Sequence, residues 1–376
     1  MTAQTIADLR TPVVLVDVAR VRANISRMQA SASANGLRLR PHAKTHKSPV
    51  IARWQLEAGA VGVCCAKLSE AEVFAEAGID DLRLPYPIHP SNADRVVRLL
   101  DRARLSIVVD DLTVAKGWSD AMRAAGRTLD VLVKVDVGFH RCGIDPDSPD
   151  AGGMVATVGS LPGLRLKGLL SHAGHGYQAR SDEELASIAA GEVRLLQQVA
   201  TCARNLGATI EEMSAGATPT ARFSLAAAGL TEFRPGNYVY FDRTQVALGA
   251  ATLEDCALTV LASVVSRHHD RVIFDSGSKT LSTDVMRGEP KAGYGVVFRD
   301  VHIGSGIDEG LHIERLSEEH ATVRVLSATR RLDPGDRVRI LPNHSCVVSN
   351  LVDEVVLVDG TRVLERLPVP ARGRIW

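Results

Sequence analysis

Eight short apolar or alternating runs, most of them followed by a stretch with helical spacing, fill the chain from Leu37 to Tyr240 and constrain its fold more than any other feature. The runs are Leu37 to Lys44, Ala60 to Ala66, Asp81 to Ile88, Leu105 to Asp110, Leu129 to Val137, Leu164 to His172, Thr209 to Ser214 and Glu232 to Tyr240. Helical spacing lies between them at Pro49 to Ala58, Ser69 to Ala77, Ser91 to Asp101, Leu112 to Ala125 and Glu183 to Leu206. Strands alternating with helices join in parallel through crossovers, so eight of them predict an α/β fold, a (β/α)8 TIM-type barrel. An open doubly wound sheet has about six strands. No Gly-x-Gly-x-x-Gly follows the first strand here, which weakens that alternative and dinucleotide binding with it.

From Ala250 onward the texture changes. Short alternating runs recur at Leu258 to Val265, Arg271 to Asp275, Ala321 to Leu326, Arg337 to Leu341, Glu354 to Val358 and Arg362 to Glu365, separated by turn clusters such as Asp333-Pro334-Gly335-Asp336. They predict a C-terminal all-β domain. Near the start, Thr11 to Asp17 reads as a strand and Val18 to Ala32 as a helix with Val21, Ile25 and Met28 on one face. The expected division is a barrel over 18–248 and a β-domain over 249–376, to which the strand within 1–17 is added.

Lys plus Arg and Asp plus Glu both number 44, so no net field favours nucleic acid or an anionic membrane, and a small-molecule partner is expected. The hydrophobic share of 45% and charged share of 23% are those of an ordinary soluble globular protein. Six cysteines without a Cys-x-x-Cys, and no apolar leader in Met1 to Arg10, predict a cytoplasmic protein with reduced thiols.

In a barrel the chemistry gathers where strands end. The first strand ends on His42 and Lys44, and the fifth in Asp136-Val137-Gly138-Phe139-His140-Arg141-Cys142-Gly143. The sixth ends in Ser171-His172-Ala173-Gly174-His175-Gly176-Tyr177. The seventh ends in Ser214-Ala215-Gly216-Ala217-Thr218-Pro219-Thr220, and the eighth carries Arg234-Pro235-Gly236-Asn237-Tyr238. Hydroxyls, glycines and a helix start in the last two turns are parts of a phosphate cradle. A lysine on strand one facing such a cradle is the layout expected for pyridoxal 5'-phosphate.

Four motifs in this order, Arg-Pro-His-Ala-Lys-Thr-His-Lys at 40–47, Asp-Val-Gly-x-x-Arg-Cys-Gly at 136–143, Arg-Pro-Gly-Asn-Tyr-Val at 234–239 and Pro-Asn-His-Ser-Cys at 342–346, resemble the D-threonine aldolase and D-serine dehydratase family. These are fold-type III pyridoxal phosphate enzymes related to alanine racemase, and the resemblance runs from about Thr11 to the C-terminus. It implies that Lys44 carries the cofactor, that Arg141 lies beside it, and that Ser214, Gly216, Thr218, Gly236, Asn237 and Tyr238 form the phosphate turns. It further implies that His344 and Cys346 bind a divalent metal, and that the protein is a homodimer.

Read as a strand, positions 344 and 346 would point to one side and converge on one ion. Imidazole with thiolate suits zinc, whereas the family's aspartate variant suits manganese or magnesium. His42, His172 and Tyr177 are the proton-transfer candidates.

The expected function is a metal-dependent lyase on β-hydroxy-D-α-amino acids, first a D-threonine aldolase giving glycine plus aldehyde. A D-serine or 3-hydroxy-D-aspartate dehydratase, giving keto acid plus ammonia, is the alternative. Cysteine in the metal pair leans toward that branch, while Leu170, where some dehydratases place a tyrosine, leans away from it. An amino-acid racemase and a non-catalytic pyridoxal phosphate carrier are the further alternatives; the extra C-terminal third argues against the carrier.

Overall fold

A computed structural model describes residues 4–286, 290–327 and 330–376. Its contacts divide the chain into two units. One comprises Met28–Lys44, Pro49–Gly236 and Arg374–Trp376, and the other Met1–Arg27, Thr45–Ser48 and Asn237–Gly373.

After β1 (Val13–Asp17), eight strands form the sheet of the first unit: β2 (Arg38–Leu39), β3 (Val63–Cys64), β4 (Asp81–Pro87), β5 (Arg104–Val109), β6 (Leu129–Lys134), β7 (Leu164–Leu170), β8 (Glu212–Ala215) and β9 (Glu232–Phe233). They run parallel in the order β2-β9-β8-β7-β6-β5-β4-β3. A parallel bridge between His42 and Cys64 joins the two ends of that order, so the sheet curls into a ring. The expected (β/α)8 barrel is the fold observed. β5 and β6 are apolar almost throughout because helices cover one face of a barrel strand and the interior covers the other. Val108, Leu132 and Leu170 meet fully buried in that core. One helix, Ala151–Ser160, was not among those expected, because its glycines and small residues give little periodic signal.

Part of the barrel interior is charged. Arg83 Nη2 donates to Glu212 Oε2 at 2.7 Å, Arg83 Nη1 pairs with Glu232, and Arg40 Nε donates to Glu232 Oε2 at 2.8 Å. Burial alone would raise the Glu232 pKa, but the charges of Arg83 and Arg40 and the Ser214 hydrogen bond outweigh it and hold the carboxyl at about 2. Charges taken out of water in this way persist only when each finds a partner.

The second unit is a mixed sheet built from β1, β10 (Leu258–Arg267), β11 (Arg271–Phe274), β12 (Val296–Val297), β13 (Leu311–Leu316), β14 (Ala321–Val325), β15 (Arg337–Leu341), β16 (Glu354–Asp359) and β17 (Arg362–Pro368). β1 lies antiparallel to β10 and parallel to β16, and Leu15, Leu261, Val356 and Val358 close the core around it. Among the described residues no helix is long and apolar enough to cross a membrane.

Candidate active site

Pro41 ends β2, and the chain turns through the 3-10 segment Ala43–Thr45, which carries Lys44 at the strand's C-terminal end. His42 is buried and its Nδ1 accepts the Lys44 backbone N–H at 3.3 Å, which fixes how Lys44 leaves the strand. Across the same rim, Asp136 Oδ1 accepts three consecutive backbone donors, from Gly138, Phe139 and His140, at 3.0 to 3.1 Å. This turn presents Arg141, whose guanidinium lies 4.7 Å over the Tyr86 ring and 4.9 Å over the Phe139 ring. Gly143 closes the loop at φ +123°, where a Cβ would come within 2.4 Å of the Asp136 amide, so only glycine fits.

Tyr86 and Lys134 are site residues that the sequence reading missed. Tyr86, near the end of β4, lies beneath the Arg141 guanidinium. Burial raises a phenol's pKa, yet the positive charges of Lys44 and Arg141 lower it below the ordinary value. Lys134, the last residue of β6, is buried with its Nζ 6.0 Å from the Tyr86 ring centre. Burial and the neighbouring Arg234 lower its pKa to about 7. Both stand at strand ends, where the other candidates were sought. Tyr86 was concealed in a run read as continuing to Ile88, and Lys134 in one read to Val137.

His172 follows β7. Its Nδ1 lies 3.3 Å from the Gly216 carbonyl, which can only accept, so Nδ1 carries the hydrogen and Nε2 presents a lone pair. Burial, then the cations Lys44, Lys134, Arg234 and Arg141, push its pKa well below the usual value, so the ring is neutral. Glu192, reaching in from the helix Asp182–Asn205, holds the backbone on either side of His172. Its Oε1 accepts Ser171 Oγ at 2.6 Å and the Ala173 amide at 3.1 Å.

The turn after β8 is built around Gly216, at φ +122°, where a Cβ would stand 2.3 Å from the Phe233 ring. The Ser214 hydroxyl is enclosed, donating to Glu232 at 2.6 Å and accepting from Arg234 Nε at 2.6 Å. Ala217, Thr218 and Thr220 are buried, and the amides of Ala217 and Thr220 have no acceptor among the described residues. Buried N–H groups that lack a protein acceptor fit a phosphate. With the primary amine of Lys44 at the same end of the barrel, the residues fit pyridoxal phosphate. Gly236 lies in the turn after β9, beyond Arg234 and Pro235, and Tyr177 sits in the 3-10 segment Gly174–Gln178.

The second unit holds Asn237, Tyr238, His344 and Cys346. His344 and Cys346 do not lie on a strand, as expected, but at the start of the helix Ser345–Leu351. The physical reason is a buried carboxylate, Asp242, whose Oδ2 accepts the first helical N–H, from Ser345, at 3.0 Å. His344 Nδ1 lies 2.6 Å from Asp284 Oδ2. Burial opposes the imidazolium, but Cys346, Asp284 and Asp242 raise the His344 pKa to about 10. Asn237 turns its side-chain amide to Asp242 at 2.6 Å, Ser345 at 3.2 Å and Cys346 Sγ at 3.5 Å. Among the described residues no group of three or more His, Cys, Asp or Glu is arranged to hold a metal ion. A metal held here would take His344 and Cys346 as its two candidate ligands, with Asp284 hydrogen-bonded to the other side of the imidazole.

The alanine racemase N-terminal domain family matches residues 16–244, and a serine dehydratase domain family matches residues 257–358. D-threonine aldolase of Arthrobacter sp. is 34% identical over 98% of this chain and 94% of its own length. D-threo-3-hydroxyaspartate dehydratase of Delftia sp. (strain HT23) is 33% identical over 91% and 92%. The crystal structure of D-threonine aldolase from Filomicrobium marinum superposes with a TM-score of 0.88 at 32% identity, covering 100% of this chain and 99% of that one. Barrel, sheet unit and strand-end residues therefore place the chain in the alanine racemase-like family of pyridoxal phosphate enzymes, among the lyases that include D-threonine aldolase and D-serine dehydratase.

Proposed function

We propose that the protein is a pyridoxal phosphate- and divalent-metal-dependent lyase of β-hydroxy-D-α-amino acids, acting as a D-threonine aldolase, and that it works as a cytoplasmic homodimer. The observation that carries this reading is Lys44 at the C-terminal end of β2, on the same barrel rim as the buried amides of Ala217 and Thr220. When bound, the cofactor supplies a sink for the electron pair left on Cα, and the metal polarises the β-hydroxyl. Lys44 would hold the cofactor, the 216–220 turn its phosphate, and His344 with Cys346 the ion, for which imidazole and thiolate favour zinc.

The chain's own residues do the rest. A neutral His172 with a bare Nε2 suits a base, which in the retro-aldol direction takes the β-hydroxyl proton as Cα–Cβ breaks and an aldehyde leaves. Arg141, held over the Tyr86 and Phe139 rings, places a positive charge on the same barrel rim.

A second reading, elimination to a keto acid and ammonia, draws support from the Cys346 thiol and from relatives of both kinds. D-threonine incubated with protein, cofactor and metal should yield acetaldehyde and glycine, and Lys44→Ala should yield neither. Formation of 2-oxobutyrate alone would overturn the aldolase assignment.

A further inference from the structure

Two buried side chains reach the sulfur of Cys346. Thr45 Oγ1 lies 3.1 Å from Cys346 Sγ, and Asn237 Nδ2 lies 3.5 Å from it. All three residues, with Asp242, belong to the second unit. The Asn237 amide is anchored on its far side, where Nδ2 donates to Asp242 Oδ2 at 2.6 Å. A carboxylate only accepts, so it is the nitrogen of this amide that stands beside the sulfur. Between a hydroxyl and a thiol either partner can donate. A sulfur that binds a metal is a thiolate and has no hydrogen, so toward such a sulfur Thr45 must be the donor.

We propose that Thr45 is a positioning residue for the metal ligand Cys346, its hydroxyl donating to the thiolate, with Asn237 as the second donor. This rests on the reading of His344 and Cys346 as the metal pair. A hydrogen bond to an ionised group is roughly twice as strong as one between neutral groups, so the Thr45 hydroxyl stabilises the thiolate more than the thiol and favours metal binding. It also draws electron density from the sulfur, which leaves more positive charge on the ion to polarise a β-hydroxyl. Thr45 follows Lys44 directly in the segment Ala43–Thr45, so one short turn supplies both the amine and this donor.

The test uses the full chain with pyridoxal phosphate bound, stripped of metal with a chelator and titrated with cobalt(II). The thiolate-to-cobalt charge-transfer band, read as a difference spectrum in the near ultraviolet, reports on the sulfur itself. Cys346→Ala should abolish it. Thr45→Val keeps the branched shape and removes the hydroxyl, and its band should move to longer wavelength, because a thiolate that loses a donor gives up electrons more easily. Affinity for cobalt and zinc should fall about tenfold or more. Thr45→Ser keeps the hydroxyl and should return the band and the affinity toward wild type.

A Thr45→Val band at the wild-type position overturns the proposal, whatever happens to affinity, because a packing defect weakens binding without changing the sulfur. A wild-type chain that shows no such band, or a band that persists in Cys346→Ala, refutes the metal assignment and the proposal with it.

Discussion

Replacing Glu192 tests how the barrel keeps the backbone around His172 in place. The carboxylate is fully buried and accepts Ser171 Oγ and the Ala173 amide. In Glu192→Leu the hydroxyl can rotate to another acceptor, but the Ala173 amide stays where the backbone holds it. A buried donor left without a partner costs about 1–3 kcal/mol, so the leucine variant should lose roughly that much. Glu192→Gln keeps the Oε1 acceptor, and its NH2 group replaces an Oε2 that makes no hydrogen bond in the wild type. It should fold with a stability close to the parent's.

The pH dependence has a definite sign. Burial raises the Glu192 pKa above its unfolded value of 4.5, with Ser171 and Arg234 opposing. Stability from this group is therefore full below pH 4.5 and is lost as pH rises through the folded value. Glutamine cannot ionise, so Glu192→Gln gains on wild type over that interval. Denaturant unfolding of the three proteins at several pH values, with unchanged slopes, gives the comparison. A leucine variant as stable as wild type would refute the claim that these hydrogen bonds matter. A glutamine variant as damaged as the leucine would show that charge, not acceptor geometry, holds the strands.

Two other perturbations follow from the buried and the part-exposed charges. Glu232, held at about 2 by Arg83 and Arg40, contributes stability that is complete above its unfolded pKa of 4.5 and fades as pH falls toward 2. The loss should reach about 3 kcal/mol, and an acid titration of unfolding that stays flat over that interval counts against the buried cluster. Cys346→Asp should weaken zinc binding and strengthen manganese or magnesium binding, as read by calorimetric titration. An unchanged metal preference would remove Cys346 from the ligand set.

Much of the barrel was legible because long parallel strands are apolar runs set between helices, as in β5, β6 and β7. The shortest strands were not delimited. β2 was expected over Leu37 to Lys44 and spans only Arg38–Leu39, because Pro41 and the bridge at His42 replace the ladder with a turn. β13, Leu311–Leu316, escaped notice because charged residues interrupt its apolar face. The start of the helix at Ser345 depends on Asp242, about a hundred positions earlier, which no local pattern reports. Glu192 read as one more charge on a helix; only the tertiary fold shows that its face is the buried one.

β1 gives the protein an unusual order of assembly. Its hydrogen-bonding neighbours, β10 and β16, begin at Leu258 and Glu354, so β1 is made well over two hundred residues before either partner exists. The parallel ring can close while that strand is still single, and its apolar side chains Val14, Leu15 and Val16 stay in need of cover until those later strands have been made. Such long-range pairing is slow and exposed to aggregation. Recovery of the refolded protein should therefore depend more on concentration than its even charge balance would suggest.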